Sequence, residues 1–474
     1  MTATSVPTLV RSLEEGASVM QDSIDRISAS IRGSKMLRLL AVGALALLLQ
    51  IPILMIRELV SERQTRRLEA VTEVSSKWGN AQVVIGPALV IPYGLRIVER
   101  SSDGELTSRV ETRSAIFLPE RLAVRGAIDS DVRRRGIFSI PVFAVDSQLE
   151  GEFGRPDFSQ LGIEPEFVAW DRANLAIGIS DARAIQRETS VVWNGEETRF
   201  LAGDGGFPEA GGAGIHAAVR LAQDTERYSF TLPLSLNGSV GLYFTPFGQN
   251  TSVELESDYG DPSFQGNWLP TERTVTSDRF TARWSIPSLG RNYPQAWDGQ
   301  TPMREAIHNS RFGVELVDPV DHYRMADRSG KYAGLFILLT FATVWLVEIL
   351  SGVRVHPIQY LMLGAALCIF YLLELSLSEH LGFPMAYALA SVAVIAMVAS
   401  FCMVALRRAS RAAIVGTGVA LLYGYLYVLL RNEDYALLIG SIGLFAILAT
   451  IMFATRRVDW YAAGGRASGP APSA

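Results

Sequence analysis

The sequence predicts a bundle of six transmembrane helices with a large β-rich domain inserted between the first helix and the second. Two observations carry the helical part. The last third of the chain is a series of apolar runs of about 20 residues, the length at which a helix crosses a hydrocarbon layer of about 30 Å. A further apolar run lies near the N-terminus. The third observation is that the long stretch between them changes to short apolar pieces separated by glycine and proline, which is typical of β-structure.

The N-terminal part is expected to form a cytosolic arm at residues 1–35, followed by the first transmembrane helix at 36–56. The arm has apolar residues at helical spacing, so a short amphipathic helix and an irregular segment both stay open. After Arg38, only Gln50 and Pro52 interrupt the apolar run. The apolar run is longer than that of a secretory signal peptide and follows a longer charged region, so we interpret it as an uncleaved anchor.

Residues 332–455 are expected to form a bundle of five further helices. Inside lipid the backbone has to satisfy its own hydrogen bonds, so apolar runs of this length form helices. Residues 456–474 follow as a cytosolic tail. The five runs are 332–350, 358–377, 385–406, 412–430 and 435–455.

Charge predicts the orientation of the helices. Basic residues precede the first run, and basic clusters return in every second loop after it, beginning with Arg354. The intervening loops carry Glu379 and Glu433. By the positive-inside rule, both termini lie in the cytosol and residues 57–331 lie on the outer side of the membrane.

Residues 57–331 are expected to form the β-rich domain. Its first part, 58–73, has helical spacing and should extend the first helix. The remaining short alternating segments predict an antiparallel sandwich or a split barrel. We expect a hairpin turn at Asn237-Gly238 and a flexible loop at 203–214, which is rich in glycine but lacks the lysine of a P-loop.

Composition excludes several classes of function. The chain has 43 Lys and Arg against 48 Asp and Glu, so no general basic field points to nucleic acid. Both cysteines, Cys368 and Cys402, lie in predicted membrane helices, so the β-rich domain has neither a disulfide framework nor a cysteine-based zinc site. No common catalytic or nucleotide-binding motif occurs, so we expect no catalytic residue, no cofactor and no metal site.

An acidic patch in the β-rich domain is the one feature that raises the question of calcium. Its spacing fits no EF-hand loop, so we interpret it as a solvated strand edge and keep a calcium site as the alternative. The patch consists of Glu254, Glu256, Asp258 and Asp261.

The sharpest functional cluster is expected at the outer helix boundary, where Glu374, Glu379 and His380 lie close in sequence. Ionisable residues in membrane helices often mark function. These three would suit the entrance of a transport path. Because they lie near the interface, we favour a polar helix end that helps to dock the outer domain.

Two further groups of residues are singled out. A polar group is expected around the first inner loop of the bundle, consisting of Glu348, Arg354, His356 and Gln359. Small residues four apart allow membrane helices to approach closely, which predicts a packing face. That face consists of Gly416, Ala420 and Gly424.

In combination, these stretches resemble the CreD family of bacterial inner-membrane proteins. The resemblance extends over residues 61–460. Its strongest pieces are Val320-Asp-His-Tyr323, Lys331-Tyr-Ala333, Glu348-Ile-Leu-Ser-Gly352 and His356-Pro-Ile-Gln-Tyr360, with Ser76-Lys-Trp-Gly79 and Tyr293-Pro-Gln-Ala-Trp297 in the β-rich domain.

The resemblance implies an inner-membrane protein with a large periplasmic domain, expressed under a two-component system and linked to envelope integrity and colicin tolerance. It supplies no catalytic residues. Our leading hypothesis is a non-enzymatic protein that binds membrane lipid or a periplasmic envelope component. A transporter or channel for an envelope-related or lipid-like substrate is the alternative, and an enzyme acting on envelope material is a third. The sequence does not indicate the oligomeric state.

Overall fold

The computed structural model describes residues 35–456 apart from 101–105, 163, 165, 223–224 and 317–321. Nearly all of the expected N-terminal arm and C-terminal tail therefore lie outside the described residues. The chain divides into two compact units, which are described separately below. The helical unit comprises Met1–Thr65 and Val320–Ala474, and the β-rich unit comprises Arg66–Pro319.

Six helical spans in the described part of the chain are long and apolar enough to cross a membrane, which confirms the predicted bundle. The first span consists of α1 and α2 together. The helices are α1 (Lys35–Leu48), α2 (Gln50–Trp78), α3 (Arg304–Asn309), α4 (His322–Ser351), α5 (Pro357–Leu381), α6 (Phe383–Ala405), α7 (Ala409–Arg431) and α8 (Ala436–Thr455).

The first span is interrupted at Leu49, between α1 and α2. Pro52 causes the interruption, because it has no N–H to donate to the carbonyl of Leu48 one turn earlier. The side chain of Gln50 donates to the carbonyl of Ala46 at 3.1 Å and so replaces part of the missing backbone bonding. Beyond this point α2 continues for 29 residues, so the segment 58–73 does extend the first helix.

A hydrophobic core joins α1, α2, α4, α5, α6 and α7. Phe341, Phe370, Val394 and Val419 are typical members, each at most 1% exposed. The last helix, α8, is different, since none of its residues is buried.

The described residues of the β-rich unit form 18 strands in two sheets. The strands are β1 (Gln82–Arg100), β2 (Leu106–Phe117), β3 (Arg121–Arg135), β4 (Phe138–Gly154), β5 (Phe167–Val168), β6 (Asn174–Ile179), β7 (Ser190–Trp193), β8 (Glu196–Arg199), β9 (Leu201–Ala202), β10 (Gly214–Ala218), β11 (Arg227–Ser239), β12 (Gly241–Phe244), β13 (Asn250–Ser257), β14 (Pro262–Gly266), β15 (Glu272–Val275), β16 (Phe280–Pro287), β17 (Ala296–Asp298) and β18 (Phe312–Leu316).

Both sheets are open and mixed. Sheet one follows the order β14-β18-β12-β1-β6-β10-β9, with β2 and β5 paired to β1 and β17 paired to β2. Sheet two follows β15-β16-β13-β3-β4-β11-β7-β8. The pairs β1–β12 and β3–β13 are parallel. A single core joins residues of both sheets, among them Leu89 and Leu175 from sheet one and Leu149 and Leu232 from sheet two. The β-rich prediction is confirmed, and the sheets do not close into a barrel.

The expected hairpin turn at Asn237-Gly238 is wrong. Both residues lie inside β11, where Gly238 pairs with Phe143 of β4. A side chain at Gly238 would collide with the ring of Phe143, so this glycine serves close packing and not a turn. The chain leaves sheet two after Ser239 and enters sheet one through Val240, whose φ of 67° is left-handed.

Candidate functional site at the ends of the helical bundle

Glu374 lies inside the bundle and is 1% exposed. Its Oε2 accepts a hydrogen bond from Ser329 Oγ of α4 at 2.8 Å. Its Oε1 is buried, and no residue of the described chain is its hydrogen-bond partner. One turn earlier on α5, Phe370 contacts the rings of Tyr387 and Tyr423 at centroid distances of 5.4 and 4.3 Å. The carboxyl group therefore links α4 to α5 next to an aromatic layer.

Glu379 and His380 do not converge with Glu374. Glu379 accepts a hydrogen bond from the hydroxyl of Tyr323 at 2.9 Å and lies 3.7 Å from the guanidinium of Arg63. His380 is exposed. Because residues five apart point in different directions on a helix, the predicted cluster consists of two separate helix contacts and one exposed imidazole.

The first three turns of α4 hold the surrounding helices through polar contacts. Asp327 forms ion pairs with Arg57 of α2 at 3.3 Å and with Lys331 at 2.7 Å. Arg328 donates to the carbonyl oxygens of Leu429 and Leu430 at the end of α7, at 3.4 and 3.3 Å. This part of α4 is the polar collar of the bundle, comprising residues 322–331.

Sequence reasoning missed the polar collar because it began the helix at the first apolar residue. The structure begins α4 at His322, ahead of the apolar run at 332–350. A signal was present, since Asp327, Arg328, Ser329 and Lys331 directly precede the run. Polar residues at the end of a membrane helix commonly anchor neighbouring helices.

At the opposite end of the same helix, Glu348 connects three helices. Its Oε1 accepts from Arg38 of α1 at 2.6 Å, and its Oε2 accepts from the hydroxyl of Tyr360 of α5 at 3.0 Å. The side chains of Arg38 and Glu348 are 13% and 7% exposed. The partner is not Arg354, the neighbour in sequence, which is exposed. A buried charge pair of this kind is tolerated because its remaining acceptor is also satisfied.

His356 and Gln359 form the N-terminal cap of α5. The ring Nδ1 of His356 accepts from the backbone N–H of Ile358 at 3.2 Å, and Gln359 Oε1 accepts from the backbone N–H of His356 at 2.9 Å. Pro357 occupies the first helical position, where its missing N–H costs nothing. These two residues thus have a structural role in starting the helix.

Of the three residues predicted to form a packing face on α7, only the first lies against a neighbouring helix. Gly416 is buried, and a Cβ there would lie 3.3 Å from Ala399 of α6. Ala420 and Gly424 are exposed, and a Cβ at Gly424 would meet nothing within 4 Å. The buried face of α7 instead follows Val415, Val419, Tyr423 and Leu426.

The acidic patch of the β-rich unit is engaged in protein contacts. Glu254 pairs with Arg283 of β16 at 2.9 Å, and Asp258 accepts from the backbone N–H of Ser130 at 2.9 Å. Over the described ranges, no three His, Cys, Asp or Glu side chains come close enough together to hold a metal ion.

The glycine-rich segment 203–214, which we expect to be a flexible loop, forms a compact turn around Glu209. This side chain is 4% exposed. Its Oε1 accepts from Trp297 Nε1 at 3.0 Å, and its Oε2 is buried with no partner in the described part of the unit. Burial raises the pKa of Glu209. The guanidinium of Arg304 fixes the turn by donating to the carbonyl of Pro208 at 2.8 Å.

Two clefts of about 690 Å³ open on the β-rich unit. The charged cleft lies on sheet two and is lined by Arg125, Asp146, Arg187 and Glu256, among others. The aromatic cleft is lined by Trp170, Trp193 and Tyr228 together with Asp171, Glu196 and Arg220. Both volumes fall within the range of about 300–1,000 Å³ that is usual for ligand sites.

Comparison with known proteins agrees with this architecture. The sequence model of the family described as Inner membrane protein CreD matches residues 34–461. Inner membrane protein CreD of Escherichia coli (strain K12) is 32% identical over 422 residues, which cover 89% of this chain and 92% of the relative. Together with the six apolar spans, these matches identify the protein as a multi-pass inner-membrane protein. The chain belongs to the CreD family.

Proposed function

We propose that this protein supports the integrity of the cell envelope as a non-catalytic binding protein. In this proposal the β-rich unit faces the periplasm, both termini lie in the cytosol, and the β-rich unit binds an envelope component. The two clefts of about 690 Å³ on that unit are the observation that carries the proposal.

The polar residues of the bundle support a structural role for the helices. Glu348, Glu379 and Asp327 all join one helix to another. A transport path usually requires ionisable groups that face a route through the bundle. Side chains that are fully used in helix contacts are better suited to holding an anchor together.

The orientation is supported by charge. The loop between α6 and α7 carries Arg407 and Arg408, and α4 is followed by Arg354. The connection between α7 and α8 contains Glu433 and Asp434. Basic loops on alternate sides are expected in the cytosol, which puts the β-rich unit on the opposite side.

Reporter fusions test the orientation. A fusion after Phe200 should give periplasmic alkaline phosphatase activity, and a fusion after Ala409 should give cytosolic fluorescence. The same compartment at both positions would overturn the assignment, because an odd number of crossings separates them in this topology.

Photo-crosslinking in living cells tests the binding role. A photoreactive amino acid at Gln148 in the charged cleft, or at Asn194 in the aromatic cleft, should give a defined adduct whose lipid, glycan or protein component is identified by mass spectrometry. The exposed residue Thr274 on β15 is the matched control. Adducts that are absent from both clefts, or equally abundant at Thr274, would contradict the proposal.

Transport is the second candidate, and the unpartnered Oε1 of Glu374 favours it. If the bundle conducts a substrate, Glu374→Gln should abolish uptake in proteoliposomes while leaving the yield of folded protein unchanged. If Glu374 is only a helix contact, the amide should serve as well, since it still accepts a hydrogen bond from Ser329.

A further inference from the structure

We propose that the aromatic cleft binds sugar rings of an envelope glycan. Only the statement that the glycan comes from the cell envelope rests on the proposed function. The binding chemistry itself is argued from the floor, the wall and the rim of the cleft.

The floor is preformed and apolar. Trp193 and Tyr228 stack with centroids 5.5 Å apart and an angle of 18° between the rings, and they are 4% and 2% exposed. Their polar atoms are already used, because Trp193 Nε1 donates to the carbonyl of Arg220 at 3.1 Å and the Tyr228 hydroxyl donates to the carbonyl of Ala222 at 2.7 Å. The floor therefore needs no rearrangement before a ligand binds.

The wall is a half-buried tryptophan held in a fixed orientation. Trp170 meets the ring of Phe158 edge-on, at 5.8 Å and 85°. Phe158 is itself fixed by an edge contact with Tyr93 at 5.6 Å. Trp170 therefore has little freedom to lose on binding, and it still has accessible surface in the cleft.

The rim carries exposed charged side chains of both signs. Asp171 and Glu196 supply acceptors, and Arg220 supplies donors. The rings of Trp193 and Tyr228 are stacked on each other and buried, so Trp170 supplies the aromatic surface that a ligand can reach, with the hydrogen-bonding groups of the rim around it.

This combination matches a sugar ring better than other ligands. A pyranose presents C–H groups on its faces and hydroxyl groups around its edge. A wholly apolar ligand would desolvate the rim without replacing its hydrogen bonds, which is costly. A polyanion would meet two carboxylates. A neutral or weakly charged glycan can stack a sugar face on Trp170 and hydrogen-bond with the rim.

The test uses the full-length protein in lipid nanodiscs, since glycoside detergents would compete for the site. The probe is a soluble oligomer of N-acetylglucosamine, and binding is followed by calorimetry and tryptophan fluorescence. We expect saturable binding by the native protein and a loss of about tenfold or more in affinity for Trp170→Ala. Trp268→Ala is the matched control, because Trp268 is also half-buried but packs against Phe312.

Three results would overturn the proposal: no saturable binding by the native protein, equal weakening by Trp170→Ala and Trp268→Ala, or binding of a short neutral peptide with no binding of the sugar. Circular dichroism of each variant excludes misfolding as the cause. The probe is added to purified protein, so its binding does not depend on orientation. If the reporter fusions failed while the sugar still bound, the proposed function and the envelope origin of the glycan would fall, and the binding of sugar rings by this cleft would stand.

Discussion

Glu348 shows at the scale of one residue how a charge is accommodated inside the bundle. Both of its oxygens are occupied, one by Arg38 and one by Tyr360. The effect of Glu348 on the free energy of unfolding is mainly the cost that appears when its carboxylate is removed from the guanidinium of Arg38. A buried guanidinium without its carboxylate is far more costly than the intact pair is favourable.

Glu348→Ala should therefore lower the free energy of unfolding by about 3–5 kcal/mol, since it removes the carboxylate that pairs with the largely buried side chain of Arg38. The measurement is thermal unfolding of the purified protein in detergent. Asp434→Ala, in an exposed position, is the control and should change little. A double variant, Arg38→Met with Glu348→Leu, should recover part of the loss. If Glu348→Ala behaved like the control, the pair would not be buried in solution.

Glu209 gives a prediction about pH. Because burial raises its pKa above the ordinary value of 4.5, the folded state holds the proton more tightly than the unfolded state. Its contribution to the free energy of unfolding is therefore present at low pH. It is lost as the pH rises from the unfolded pKa through the raised folded pKa.

Glu209→Gln should remove that part of the pH dependence. The measurement is denaturant unfolding of the full-length protein at a series of pH values, followed by tryptophan fluorescence. The exposed Glu305→Gln is the control and should keep the native slope. An unchanged slope in Glu209→Gln would mean that this carboxyl group is solvated or already compensated.

At the scale of the element, α7 shows why spacing alone does not define a packing face. Gly416 and Gly424 lie on one side of the helix by sequence, yet only Gly416 touches a neighbouring helix. The neighbour, α6, stays beside α7 further along, where Tyr387 contacts Tyr423 and Tyr427. Each step of four residues turns the side chain by about 40° around a helix, so the small residues rotate off the face that α6 contacts.

Gly416→Val should destabilise the bundle by about 1–3 kcal/mol, because the added methyl groups press against Ala399. Gly424→Val should stay within about 0.5 kcal/mol of the native protein. The comparison of the two melting temperatures in the same detergent is the measurement. Equal effects at both positions would show that Gly424 has a neighbour in solution, such as a second copy of the chain.

The elements also show which features sequence can predict. The membrane spans depend on local hydropathy and were predicted correctly. Hydropathy does not predict the cap at His356 or the pairing of Glu348 with Arg38. Arg38 lies 310 positions from Glu348, so only the fold brings them together. In β11, Asn237-Gly238 has the composition of a turn, and its long-range partner Phe143 decides otherwise.

At the scale of the whole molecule, the helices contribute unequally. The absence of buried residues on α8 indicates that the rest of the bundle does not depend on it. Its contacts with α7 include the hydrogen bond from the Tyr425 hydroxyl to the carbonyl of Ile439, at 2.7 Å.

A chain ending at Asn432, which lacks α8, should therefore still fold. We expect its melting temperature to stay within a few degrees of that of the full chain, since little apolar surface is withdrawn from the core. Differential scanning fluorimetry checks this, with a chain ending at Leu406 as the control that should not fold because it also lacks α7. Loss of the cooperative transition in the chain that ends at Asn432 would show that α8 supports the core.

The arrangement of β1, β12 and β18 has a consequence for how such a chain can change. Gln82 at the start of β1 is paired with Leu242 of β12, and Leu242 is paired with Val314 near the end of β18. The start of β1 and the end of β18 therefore lie at the same corner of sheet one, two strand spacings or about 10 Å apart. A unit whose two ends are close together can be lost, replaced or enlarged during evolution without a change in the helices that precede and follow it in the sequence.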